Sequence, residues 1–245
     1  MPSTARLPPQ ASPETQRARG RTDPGLLLLV IGFALAWIPY LDFVGDILGL
    51  IGLILVFLGR SGFSREHRTS VTIGFAIILL AGALGFVFTL WFAAAVVGIA
   101  DQAGLTLAQA GSMLNSVLLV YFLGLSVASV LGCYGEVVLV RKLSDLKTSR
   151  ILWIGFLVNL ALTVLTLVVL VPLVQAAVSQ ATSGTSLNTA PITALTTTGT
   201  LLGLTKAIPS LLFAWGYYRA RQAAAHWDQP RPGTVPPGAE LTSAR

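Results

Sequence analysis

A single lysine, Lys206, interrupts the otherwise apolar stretch from Gly199 to Tyr218. An ammonium at the centre of a membrane-spanning helix costs roughly 2.5–3.5 kcal/mol, so a group held there at that cost is a candidate for function. Lys206 stands thirteen residues before Arg219, which is roughly 20 Å along a helix rising ~1.5 Å per residue. Asp46 stands fourteen residues before Arg60, roughly 21 Å by the same measure. Equal depth makes the two a candidate ion pair, each offsetting the other's desolvation. The competing reading leaves Asp46 in a wet interface and lets Lys206 snorkel past it to the boundary. Glu136 is the third candidate in this intramembrane polar centre. It precedes Arg141 by five residues and shares a helix face with Ser129, Gly132 and Cys133. Such a carboxylate can serve a proton or cation path. The simpler reading has it reach the cytoplasmic headgroups, or pair with Arg141 or a nearby loop base.

The neighbours of these groups suggest how they are positioned. Gly199, Gly203, Lys206 and Ser210 recur at intervals of four, three and four, which places them on one helix face. Asp42, Gly45, Asp46, Gly49 and Leu53 make a similar face. Small residues four apart let helix backbones approach closely. These two faces therefore predict that the second and sixth helices meet. Pro209 has no N–H and crowds the carbonyl of Thr205, which predicts a kink beside the lysine. Asn159 reads as an interhelical hydrogen-bonding group, and the threonines from Thr193 to Thr200 as caps or the lining of a wet vestibule.

Other chemistry is excluded by what is missing. The one cysteine, Cys133, rules out an internal disulfide. His67 and His226 stand far apart, so neither a metal nor any other cofactor is expected. No phosphate-binding glycine loop, zinc-protease helix or nucleophile elbow occurs, so no catalytic residue is assigned.

The elements that would carry these groups are set by composition. The chain has 245 residues, 54% hydrophobic and 11% charged, with a mean hydropathy of +0.76. A soluble domain is about one quarter charged. Six apolar runs, near 25–41, 43–59, 71–100, 111–140, 151–178 and 193–218, read as an all-α bundle of six transmembrane helices in three hairpins. Helix follows because backbone groups in hydrocarbon must be paired within their own segment. The first two runs are short enough that a re-entrant hairpin is the alternative. The run after Arg17, Arg19 and Arg21 resembles a signal peptide, but it continues through Pro39 into a second apolar run, as an anchor helix does. Residues 1–23 read as a disordered basic arm, 24–221 as the membrane domain and 222–245 as a disordered, proline-rich tail.

The net charge of +6 does not point to nucleic acid, because the bases flank apolar runs. Arg60, Arg65 and Arg68 separate runs two and three, and Arg141, Lys142, Lys147 and Arg150 separate runs four and five. Arg219 and Arg221 follow run six. The alternate loops, around 40–46, 101–110 and 179–192, carry no Lys or Arg. By the positive-inside rule both termini are cytoplasmic, in a multi-pass protein of the cell membrane. Trp153, Trp215, Tyr217 and Tyr218 then fall at the cytoplasmic interface, where amphipathic rings settle.

The string from Ile31 to Gly59, with its Ile38-Pro39-Tyr40 turn and glycine-rich second helix, followed by Thr72 to Phe86, resembles a family of small, mainly archaeal, prokaryotic integral membrane proteins of unknown function. That resemblance covers the first third of the chain and implies a membrane-embedded helical fold. It brings no activity and no functional residues with it.

Two functions follow. The first is a non-enzymatic membrane module that assembles with itself or other membrane proteins through Gly45, Gly49, Gly199 and Gly203. Its basic loops would meet anionic lipids at about 1 kcal/mol per base. The second is a small-solute or ion permease with a polar centre near Lys206 and Asp46. An intramembrane enzyme ranks third.

Overall fold

All regular structure among the described residues is helical in this computed structural model, which describes residues 13–38, 40–143, 145–182 and 190–225. The expectations for residues 1–12, 183–189 and 226–245 lie outside the described residues. The helices are α1 (Pro13–Leu35), α2 (Asp42–Gly59), α3 (Arg65–Ala100), α4 (Leu107–Val140), α5 (Leu146–Leu165), α6 (Val171–Thr182), α7 (Ala190–Thr205) and α8 (Ala207–Ala225). A π-helical stretch, Thr166–Leu170, joins α5 to α6, so that Leu146–Thr182 is one continuous rod. The wider turn falls just before Pro172, which has no N–H to give the regular ladder. Among the described residues four rods are long and apolar enough to cross a membrane: Asp42–Gly62, Arg65–Ala100, Leu107–Val140 and Leu146–Thr182.

The helix starts are written locally. Ser64 Oγ accepts a hydrogen bond from the His67 amide at 3.3 Å and opens α3. Thr106 and Gln109 exchange bonds in a capping box that opens α4. Asp145 Oδ1 accepts from the Thr148 amide at 2.8 Å and opens α5. The hydrogen bonds from Thr148 hold the Asp145 carboxyl below the usual carboxylate range, so this cap is charged at neutral pH.

The seam between α1 and α2 is built on glycines seven residues apart. Gly25 and Gly32 stand on α1, and Gly45, Gly52 and Gly59 on α2. A Cβ at Gly32 would lie 2.7 Å from the Gly45 carbonyl oxygen, and one at Gly52 would lie 2.6 Å from that of Gly25. A seven-residue period keeps the small residues on one contact line as two helices coil about each other. This corrects the expectation that the glycine face of α2 meets the sixth helix. The partner of α2 is α1, whereas α8 packs on α1 and α5. A second tight pair joins α3 to α4, where Ser70 Oγ donates to the Val138 carbonyl at 2.5 Å.

The segment before Pro24 also departs from expectation, because α1 begins at Pro13 rather than after a disordered arm. Its order comes from contacts far away in the chain. Ala18 and Thr22 are buried, and Gly59 leaves room for the Thr22 side chain. Arg19 Nε donates to the Gly62 carbonyl at 2.7 Å. Arg221 forks onto both carboxylate oxygens of Asp23, at 2.7 and 3.0 Å. Local polarity predicts disorder, but these tertiary contacts supply the missing stabilisation.

Two more ion pairs join basic segments at the same end of the molecule: Lys142 to Glu66 at 2.9 Å and Arg219 to Asp145 at 3.7 Å. The best-buried side chains lie near this end, among them Leu26, Val56, Val71, Val140, Leu152 and Tyr217. Tyr217 is fully buried, not interfacial as its position beside Arg219 suggests, while Trp215 and Tyr218 are exposed. Further from the basic end, Phe86 and Leu90 of α3, Leu119 and Leu123 of α4, and Val168 turn apolar surface outward. A soluble protein rarely exposes so continuous an apolar surface, and a bilayer would cover it.

Candidate functional site

The seam of α1 with α2 and the pair α3–α4 diverge around a cavity of about 480 Å³. Its walls are Leu29 and Phe33 of α1, Leu50 and Leu53 of α2, and Ile78 of α3. Polar atoms enter from Asp46 on α2 and from Ser129, Cys133 and Glu136 on α4. Glycines keep it open: at Gly49 and Gly82 a Cβ would find no atom within 4 Å. Two carboxylates thus line a mainly apolar space, and among the described residues neither a lysine nor an arginine lines it.

Glu136 is held from the far side. The Tyr217 hydroxyl of α8 donates to its carboxylate, and the Tyr217 ring stacks on Phe33 with centroids 5.6 Å apart. Phe33 in turn stacks on Phe213 at 5.3 Å. The carboxylate therefore turns inward to α8 instead of outward to headgroups. The spacing of α4 could not reveal this, because the donor is 81 residues away. Asp46 faces the same cavity and has no ion pair among the described residues.

Lys206 is elsewhere. It lines a separate groove of about 560 Å³ with Trp37, Asp42, Thr196, Thr200, Gly199 and Gly203. The expected Asp46–Lys206 pair does not form, and the acid sharing a groove with the lysine is Asp42. At Gly199 and Gly203 a Cβ would meet nothing within 4 Å, so these glycines floor an open groove and do not seat another helix of this chain. Gly45 does make a close helix contact, while Gly49 opens onto the cavity. The chain breaks at Lys206, between α7 and α8, beside Pro209 as its missing donor predicts. The Lys206 amide is shared between the carbonyls of Leu202 at 3.3 Å and Gly203 at 3.2 Å.

Among the remaining polar groups, Asn159 Nδ2 is buried without an acceptor among the described residues. The interhelical role expected of Asn159 belongs instead to Asn115, whose Nδ2 donates to Ser179 Oγ at 2.8 Å and whose carbonyl accepts from Gln175. His67 is fully buried, edge-on to Phe63, with both ring nitrogens unpartnered among the described residues. No group of three or more His, Cys, Asp or Glu among the described residues could hold a metal ion.

At the basic end, Arg60 and Arg68 share a groove of about 360 Å³ with Leu58 and Ser61. Arg60 is fixed by a 2.6 Å bond to the Phe57 carbonyl and by stacking of its guanidinium on the Phe57 ring. Compared with protein-family models, with curated protein sequences and with solved structures, the chain matches none.

Proposed function

We propose that this chain is a six-pass protein of the cell membrane, with both termini cytoplasmic, that takes small organic cations into a cavity within the bilayer. The observation that carries this reading is the shared cavity of Asp46 and Glu136, walled mainly by apolar side chains and lined by no base among the described residues. A carboxylate in hydrocarbon is expensive unless something compensates it. A cation with an apolar body supplies both the compensation and the packing. Its volume lies within the range of small-molecule sites. The two helix irregularities, at Thr166–Leu170 and at Lys206, support passage as well as binding, because interrupted helices are where transporters flex. The ion pairs that gather the basic segments at one end support the even number of crossings.

The test is calorimetry on the full chain in lipid nanodiscs. The charged amine 2-phenylethylammonium is expected to bind saturably, and its neutral relative 2-phenylethanol to bind far more weakly. Equal binding of the two would remove the carboxylates from the account.

A second reading, a non-enzymatic module that docks on anionic lipid, is favoured by the arginine groove at the basic end. Arg60, Arg65, Arg68, Arg141, Lys142, Lys147 and Arg150 all belong to the segments at that end. With about 1 kcal/mol per base near a charged surface, the double variant Arg60→Gln/Arg68→Gln is expected to bind phosphatidylglycerol about 30-fold more weakly. Unchanged retention in native mass spectrometry would leave these arginines as topology signals alone.

A further inference from the structure

The groove around Lys206 shares only Ala36 with the lining of the carboxylate cavity and differs from it in charge, pairing a base with an acid. Lys206 enters it from the break between α7 and α8, and Asp42 enters from the first turn of α2. The two lie in one groove, yet no ion pair joins them among the described residues. Asp42 uses one oxygen to accept from the Phe43 amide at 2.9 Å, and the rest of its carboxylate is open. At the groove wall the indole N–H of Trp37 is buried and has no acceptor among the described residues. Gly199 and Gly203 keep the floor clear, as a Cβ on either would meet no atom within 4 Å.

The charges decide the ligand class. A simple anion drawn to Lys206 would be repelled by Asp42, and a simple cation would meet the reverse. A ligand carrying an anion and a cation a few bonds apart satisfies both. The location decides the source. Asp42 begins a helix whose other end meets Arg60, so the groove lies toward the end away from the basic segments. Trp37 and the almost fully exposed Tyr40 flank it, and such rings settle at headgroup level. Exposed Leu201, Leu204 and Ile208 continue the apolar surface beside it.

We infer that this groove is a binding site for the headgroup of a zwitterionic phospholipid, with the phosphate on Lys206 and the ammonium on Asp42. A primary ammonium offers three N–H donors to the carboxylate, so phosphatidylethanolamine is favoured over phosphatidylcholine.

Native mass spectrometry of the full chain tests this, with phosphatidylethanolamine, phosphatidylcholine and phosphatidylglycerol added in turn from detergent micelles. The wild type is expected to retain phosphatidylethanolamine most strongly. Lys206→Gln is expected to weaken that retention at least about tenfold, the scale of one lost charge-assisted contact. Asp42→Asn is expected to abolish the preference for ethanolamine over choline while leaving the phosphate contact. Lys206→Arg, which keeps the charge, is expected to retain the lipid and guards against a folding defect in the glutamine variant. Soluble glycerophosphoethanolamine separates the two sources of the same chemistry, and it is expected not to compete at concentrations matching the lipid. Retention unchanged in Lys206→Gln, equal binding of phosphatidylglycerol by the wild type, or full competition by the soluble ester would each overturn the inference. Lys206 does not line the carboxylate cavity, so Lys206→Gln removes no group of that site, and failure here and failure of the cation cavity are separable.

Discussion

Gly74→Val is expected to abolish the folded protein, while Gly82→Val, eight residues along the same helix, leaves it folded. At Gly74 a Cβ would lie 2.6 Å from the Leu139 amide nitrogen, 2.7 Å from the Gly135 carbonyl oxygen and 2.7 Å from the Leu139 Cα. All three are backbone atoms, so no side chain can swing aside. Relief requires α3 and α4 to separate along the seam that also holds the Ser70–Val138 hydrogen bond. Overpacking a rigid contact costs about 1–3 kcal/mol, and more where only backbone can move. At Gly82 a Cβ would meet nothing within 4 Å, because the position opens onto the cavity. Monodispersity and melting temperature in detergent check the pair of variants. Similar behaviour of the two would mean that the α3–α4 seam is misplaced.

Loss of cation binding in Asp46→Asn and Glu136→Gln is the second large effect expected. A single charge pair ~4 Å apart at an effective dielectric near 20 is worth about 4 kcal/mol. Desolvation of both partners takes back much of that gain. The net contribution of each carboxylate is then about 1.5 kcal/mol, or about tenfold in Kd for 2-phenylethylammonium. The double variant is expected to bind the amine no better than the neutral alcohol. Tyr217→Phe gives a further distinction, since it removes the hydroxyl that orients Glu136 but neither charge. It is expected to weaken binding less than Glu136→Gln does. If both carboxylate variants bind like the wild type, the cavity holds its acids for structure alone.

Much of the architecture was legible in the sequence, and for a physical reason. Hydrocarbon permits few backbone solutions, so long apolar runs such as 71–100 and 111–140 had to be helices. The caps at Ser64, Thr106 and Asp145 are as local, each bonded within three residues, yet none of them was among the residues singled out above. Pro209 announced the break at Lys206 because the missing donor is a local property. Partner choice was not legible in the same way. Helix faces with Gly45 and Gly49, or Gly199 and Gly203, show that something can come close, but not which helix does. The α1–α2 seam depends on glycines on both helices in matching register, and half of that pattern, Gly25 and Gly32, lay in a run that was read only for its hydrophobicity. Equal depth suggested pairing Asp46 with Lys206, yet depth is one coordinate of three. Asp46 lines the cavity with Glu136, whereas Lys206 lines the groove with Asp42. The helical order of residues 13–23 was hidden for a related reason: Asp23 is fixed by Arg221, 198 residues away.

The most direct measurement uses a cysteine at Gly49 in a chain whose native Cys133 has been replaced by alanine. Gly49 lines the cavity with Asp46, and a Cβ there meets no atom within 4 Å. The rate of modification by aminoethyl methanethiosulfonate is followed in nanodiscs, with and without saturating 2-phenylethylammonium. An open, cation-binding cavity predicts that the cysteine reacts in the folded protein and that the amine slows the reaction several-fold. A cysteine that stays unreacted, or one modified at the same rate with the amine present, would contradict the account.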